Sequence, residues 1–555
     1  MSIKIVLIII FNTVLVLGCS NSGSSSNKDP VSIKPDKPVN VVATYQGNKA
    51  LVSWELPITS DNSNAVKYYL VERSILNQNN FIKLSAQLPA TQLNYTDPMV
   101  SRKYGDSFEY RVTAGNKKGV STSGLSLPVT PGSSLNISHV ASNYLTSSYA
   151  GDKSNFGFKL AFSADGKTAA VAIKSRTFVN GRKVGASVEI FKRGVVNDWS
   201  AFSVAVIHRP GIMTMFALSP DGKTLALSEN SPSSGTNIAA GAVELFTQNS
   251  SGLWDLVQTT TLVSPAPGKF YQFGSTLVFS PDSKSLAVSE AGTSIVRVYN
   301  KVNGSWGMQP GSVLNNTANT AGLRPSIAFS PSGNILAIGD PGITVNSLLN
   351  AGAVQLFSKK TDGSWNTVAS TSFNSKQPGK GFLFGQSIAL SADGNTIAIS
   401  EESSQVLLDN TATYQGGNVQ LFTKDSLNKW KAVPDTIFVS SASLRTSFGM
   451  DFTFNRTGTM LAISEGRGVI YTNGKNNEKS GAVLVFKKDT SGVWLERPVA
   501  VLGSLAPSFI GEFGSSVVFN PGDDTLFVGE PTGFTKKGAI LETGYINIYD
   551  SRLFK

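Results

Sequence analysis

A short turn recurs seven times in the last three quarters of the chain, and this repetition constrains the fold more than any other feature. The turn reads Ser-x-Asp-Gly, or a reduced form of it. It begins at Ser163, Ser219, Ser280, Ser330, Ser391, Asn455 and Asn520, with gaps of 56, 61, 50, 61, 64 and 65 residues. An apolar run precedes each turn, as in Phe384-Gly-Gln-Ser-Ile-Ala-Leu390, and another follows, as in Thr396-Ile-Ala-Ile-Ser400. A loop of variable length leads to a third run, usually opened by Gly, as in Gly241-Ala-Val-Glu-Leu-Phe246. An aromatic closes the third run in every unit: Phe191, Phe246, Tyr299, Phe357, Phe422, Phe486 and Tyr549. A short turn and a Trp then open a fourth, at Trp199, Trp254, Trp306, Trp365, Trp430 and Trp494. Short apolar runs bounded by turn residues read as strands.

Four strands per unit and seven units predict a seven-bladed β-propeller over 133–555. The seventh unit stops after its third strand. In the other units the Trp lies 20–26 residues before the next turn. Counting about 25 back from Ser163 reaches Ser138, so the segment 134–147 is expected to complete the last blade and remove the open edges. Phe-Gly opens five units, at Phe156, Phe273, Phe384, Phe448 and Phe513, and Gly339-Asp-Pro341 and Gly529-Glu-Pro531 follow second strands. In these features the units resemble FG-GAP repeats, the kind that build the integrin α propeller. Many such repeats carry a calcium loop of alternating aspartates. Here the turn is Ser-Pro-Asp-Gly-Lys, as in TolB-like or WD40-like propellers, and one Asp per turn cannot supply calcium's oxygen ligands. No metal and no cofactor is expected.

The N-terminus reads as an export signal. Lys4 precedes an apolar run from Ile5 to Leu17, which ends Val16-Leu17-Gly18-Cys19. A basic start, a short apolar stretch and a small residue at the cut fit a secretory signal over 1–18, and the run is too short to span a bilayer comfortably. Cys19 is the only cysteine. The ending resembles the lipobox of bacterial lipoproteins, which implies cleavage before Cys19, a lipid on its sulfur and, with Ser20 next, the outer membrane. Residues 19–36 are Ser- and Asn-rich and read as a flexible tether of on the order of 20–25 Å.

Residues 37–132 show short strands separated by turns, at Val39–Val42, Ala50–Trp54, Tyr68–Glu72, Phe81–Leu84, Phe108–Ala114 and Leu125–Val129, as in a β-sandwich. Pro38, Trp54, Tyr69, Tyr95-Thr96-Asp97 and Tyr110-Arg-Val-Thr-Ala-Gly-Asn116 resemble a fibronectin type III domain. Trp54 and Tyr110 are core residues in this reading. The expected class is therefore all-β, a sandwich followed by a propeller.

The formal net charge of +11 is spread along the chain. No basic run exceeds three residues, so it reads as general attraction to anionic surfaces and no nucleic-acid partner is expected. Without a second cysteine there is no intramolecular disulfide, although the chain reads as exported. Six of seven units carry an acid at the end of the second strand: Glu229, Glu290, Asp340, Glu401, Glu465 and Glu530, with Lys174 in the first. Pseudosymmetry would set these acids around one face, either as a site for a cation or basic group or as acceptors within their own loops. Long, unlike loops at Glu402–Gly416, Gly466–Ser480 and Pro531–Thr543 mark that face for binding. Gly-Lys-Thr at Gly166 and Gly222 lacks the upstream Gly of a phosphate loop. His139 and His208, the only histidines, fall in different units. No nucleophile elbow or zinc-protease motif is present. The resulting expectation is a non-enzymatic, lipid-anchored monomer of the cell envelope that binds a protein or glycan, an adhesin being one form. A periplasmic assembly platform is the alternative, and a propeller lyase or glycosidase the second.

Overall fold

The computed structural model describes residues 34–46, 49–56, 65–75, 79–97, 108–126, 141, 143–147, 155–179, 182–194, 199, 203–209, 213–229, 240–315, 323–408, 412–439, 447–466, 470–472, 475–477, 481–495, 497–504, 512–531, 544–550 and 554. The expected signal segment, Cys19 and most of the tether lie outside the described residues. Among the described residues no helix is long and apolar enough to cross a membrane, and all regular elements are strands. The chain divides into two compact units, Met1–Met99 with Ser107–Val129, and Val100–Asp106 with Thr130–Lys555.

The first unit packs two antiparallel sheets. One is Val39–Gln46, Lys49–Glu55 and Asn94–Asp97. The other centres on Tyr68–Ile75 and Phe108–Asn116. Alternate residues of both sheets point inward, and Ala50, Val52, Trp54, Tyr69, Val71, Tyr110 and Val112 form one buried cluster. Trp54 meets Tyr69 edge-on with centroids 5.3 Å apart. Asp97 is buried and doubly held, by Arg73 at 2.8 Å and by the Tyr110 hydroxyl, which donates to it at 2.8 Å. A buried charge needs such partners. The strand expected at Leu125–Val129 is absent over the described residues 125–126. Instead the Ser126 side chain and amide cap Tyr110, accepting from its amide at 3.0 Å and donating to its carbonyl at 2.8 Å. Residues 127–129 lie outside the described residues.

The second unit is a β-propeller. Its strands fold as successive antiparallel meanders, each a four-stranded path, numbered here as sheets one to seven along the chain. The first strands of consecutive sheets lie against one another, including those of sheets one and seven. Every seam between consecutive sheets has its own apolar cluster. The cluster between sheets seven and one joins Phe527, Ile546 and Ile548 to Phe156, Val171 and Phe191. Sheet seven takes its outer strand from Asn143–Leu145, paired antiparallel with Tyr545–Tyr549. Residues 134–140 lie outside the described residues.

The recurring turn has a local cause. In sheet five the Ser391 hydroxyl donates to Asp393 and accepts from the Thr396 amide at 3.0 Å, while Asp393 accepts from the Asn395 amide at 3.0 Å. Asn455 does the same work with its carboxamide, accepting from the Thr459 and Met460 amides. Short polar side chains that bond nearby backbone define such turns. The two glycine signatures meet each other across seams. Gly352 opens a third strand at φ +84°, and a Cβ there would fall 2.0 Å from the Phe384 carbonyl oxygen of the next sheet. Gly544 meets Phe156 in the same way across the closing seam.

One expectation is corrected. The tryptophans do not open the fourth strands, which begin several residues later, at Ala205, Thr260, Ser312, Thr371, Thr436 and Ala500. Each Trp pairs instead with a residue at or just past the end of the third strand, as in the pairs Lys301–Trp306, Lys359–Trp365 and Lys488–Trp494. The ring turns into the seam with the preceding sheet, so the chain bends there before the outer strand starts.

Candidate functional site

The meander sends the Ser-x-Asp-Gly turns to one end of every sheet, and in sheets one to six the hairpins between third and fourth strands go to that same end. The loops between second and third strands lie at the other end, and all six expected acids sit there as the last residue of a second strand. Lys174 lies inside the longer second strand of sheet one, Thr168–Val179. Some loops at this end are structured. Gln405–Leu408 pairs with Ala412–Gln415 in sheet five's loop, and Ile470–Thr472 with Lys475–Asn477 in sheet six's. In sheet one the second and third strands themselves run on as a long hairpin to Val179 and Arg182. Residues 532–543 of the third long loop lie outside the described residues.

The acids do not present a ring of exposed charge. Glu290, Asp340, Glu401, Glu465 and Glu530 are at most 2% exposed, and Glu229 is half-buried. Glu290 pairs with Arg297 at 2.7 Å and accepts from Thr293 at 3.1 Å. Asp340 accepts from the Gly342 amide at 2.9 Å. Glu530 accepts from Ser504 and, at 3.0 Å, from Asn547. Glu229 lies near Glu244, whose carboxyl is raised by burial and lowered in turn by Arg209, 2.5 Å away. Glu290, Asp340, Glu401 and Glu530 are thus engaged by groups of their own sheet or of the one before it.

Glu401 shares with Asp340 and Glu530 a set of purely neutral hydrogen-bond partners, and among the three it is the one raised furthest. Its Oε2 accepts from Asn418 at 2.7 Å and from Gln420 at 3.2 Å, and Oε1 is buried without a hydrogen-bond partner. Burial therefore dominates and raises the carboxyl to about 7, against the opposing pull of Ser375, Asn418 and Gln420. Burial also raises Asp340 and Glu530. A carboxyl that changes protonation near neutral pH can take up and release a proton. It is also the pattern that marks candidate sites.

Several partners were not legible as site residues. Asn418 and Gln420 look like ordinary strand positions. Serines just past fourth strands reach the next sheet: Ser504 to Glu530, Ser147 to Glu189, and Ser375, which accepts from Gln420 at 3.1 Å. Their signal was the recurrence of Ser at that place in Ser264, Ser375 and Ser504. His208 lies on sheet one's fourth strand with Nδ1 2.8 Å from the Ser187 hydroxyl, and burial lowers its basicity. His139 lies outside the described residues. Among the described residues no three His, Cys, Asp or Glu side chains gather as a metal ion requires.

No protein-family model matches the chain, and no curated protein matches it. Solved structures do. One, described as a putative 6-phosphogluconolactonase from Bacteroides uniformis, matches at 12% identity over 79% of this chain and 99% of its own, with a TM-score of 0.43. A periplasmic gluconolactonase from Pseudomonas aeruginosa matches at 14% identity over 80% and 98%, with a TM-score of 0.42. A putative 6-phosphogluconolactonase from Bacteroides fragilis matches at 16% identity over 66% and 88%, with a TM-score of 0.42. These proteins are described as enzymes, and the expectation of a non-enzymatic binding protein or adhesin is corrected on that finding. At such identity and TM-scores no substrate and no catalytic residue passes from them to this chain.

Proposed function

We propose that the chain is a hydrolase of the cell envelope whose reaction takes place at the loop-bearing end of sheets four and five. Glu401 carries this reading: a carboxyl raised to about 7, held by Asn418 and Gln420, with Oε1 unengaged. As carboxylate it would accept a proton from a water whose oxygen attacks the carbonyl carbon of an ester or lactone. The carbon–oxygen bond to the leaving alkoxide then breaks, and the carboxylic acid returns the proton to that alkoxide. The paired strands Gln405–Leu408 and Ala412–Gln415 lie between Glu401 and Asn418 in sequence, at the same end of the sheet.

The remaining parts of the reading are consistent with this one. The seven sheets are taken as the blades of one propeller of FG-GAP type, closed by Asn143–Leu145. The first unit is taken as a fibronectin type III module serving as a spacer. Lipid on Cys19, after removal of 1–18, would hold the protein at a membrane of the envelope, with 19–36 as the tether. The acids at the other second-strand ends, apart from Glu401, serve the blades.

The test is hydrolysis of sugar lactones, simple esters and aryl glycosides by the purified chain between pH 5 and 8. The expected result is turnover of one class with a rate that follows a group titrating near 7, abolished in Glu401→Gln and kept in Glu229→Gln. Turnover unaffected by Glu401→Gln, or none with any of the three classes, overturns the reading.

A further inference from the structure

We infer that the end of the propeller opposite Glu401 rests on a lipid bilayer. The observation is a repeated exposure of large apolar side chains in the hairpins that join third to fourth strands. Leu253, Leu256 and Val257 in sheet two, Met308 in three, Val368 in four, Leu427 and Val433 in five and Val493 in six are 55–79% exposed. Each lies within three residues of the hairpin's Trp, which is itself turned inward in these sheets. Scattered single apolar residues need no explanation, but a rim of them at one repeated place does.

The geometry selects the occupant. The meander sends all these hairpins to the same end of consecutive sheets, so one surface reaches them together. A protein partner would bury a concentrated cluster. Here the apolar residues come as one to three per hairpin across five sheets, which suits shallow insertion into a membrane interface. Each of the last three hairpins also carries a lysine over its Trp ring, Lys359, Lys424 and Lys488, at 5.9, 5.1 and 5.2 Å. An alkyl stem over apolar surface with its ammonium at the edge is how lysine lies at such an interface. The aspartates of these hairpins keep the charge near balance: Asp362 and Asp489 accept from the amides of their own turns. Apolar contact therefore supplies the larger share. The nearness of a membrane rests on the anchor proposed above; the surface itself does not, and it leaves the Glu401 end facing away from lipid.

The experiment is flotation of the chain beginning at Ser20, which keeps every described residue, with vesicles of phosphatidylethanolamine and phosphatidylglycerol. Binding is expected without any lipid on the protein. Val257→Ser, Val368→Ser, Leu427→Ser and Val493→Ser together are expected to lower partitioning by roughly tenfold or more, with the thermal midpoint unchanged because all four side chains are exposed. Glu401→Gln is expected to float like the parent, which separates this inference from the hydrolase reading. A parent that stays unbound, or a fourfold variant that floats equally well, overturns it.

Discussion

Replacing Glu401 by Gln tests the most unusual group in the propeller. The carboxyl is buried among Asn418, Gln420 and Ser375, with no cation among its bonded partners, and its proton is held to about 7 instead of the ordinary 4.5. That difference corresponds to about 3 kcal/mol in favour of the protonated form. In the unfolded chain the group loses its proton near 4.5, while the folded protein keeps it to about 7. Between these values the native state binds more protons than the unfolded one, so stability falls as pH rises. The favourable contribution is fully present below about 4.5 and gone above about 7. Gln is nearly isosteric. Its carbonyl oxygen accepts from Asn418 and Gln420 as Oε2 does, and it does not titrate. Urea unfolding at about pH 4.5 and about pH 8 should therefore show the parent losing about 3 kcal/mol more than the variant over that interval. Every other titrating group cancels in the comparison. Parallel profiles, within about 0.5 kcal/mol, would refute the claim that burial holds this carboxyl protonated.

Three further outcomes follow from the same structure. Arg297→Met leaves Glu290 buried and without its cation and should cost about 3–5 kcal/mol in urea unfolding, most of it recovered when Glu290→Leu is added. Gly352→Ala should lower the thermal midpoint well beyond Gly363→Ala. Their φ values are +84° and +86°, but only at Gly352 does a Cβ meet the next sheet's backbone, whereas nothing lies within 4 Å at Gly363. Burial alone would raise Asp393, but the Ser391 hydroxyl and the Asn395 amide hold it below the ordinary value. Its contribution is present above about pH 4 and lost as pH falls through the folded value, so thermal midpoints of Asp393→Asn should fall less steeply than the parent's in acid.

The repeating turn was readable because its cause is local. Ser391 and Asp393 bond amides within five residues, so the same letters recur wherever the same turn is needed. The second and third strands were readable for a related reason. A run buried on both faces is mostly apolar at its centre, as Ile397-Ala398-Ile399 is within Thr396–Glu401. The tryptophans misled, because a Trp after a turn looks like the start of a strand, whereas its ring fills the seam with the sheet before. The six acids were found by their recurrence, but recurrence did not distinguish an exposed ring from five buried carboxyls. That depended on what covers them, and the cover comes from Asn418, Gln420, Ser504 and Asn547, residues without a signature of their own.

The amino-acid sequence by itself determined the class, the unit and its order along the chain, since turns and apolar alternation act over a few residues. Only the tertiary structure decided which residues meet across seams, how Asn143–Leu145 pairs with the far end of the chain, and which of the acids burial raises furthest. Desolvation is set by everything packed around a group, and the amides that hold Glu401 come from Asn418 and Gln420, 17 and 19 residues away on another strand.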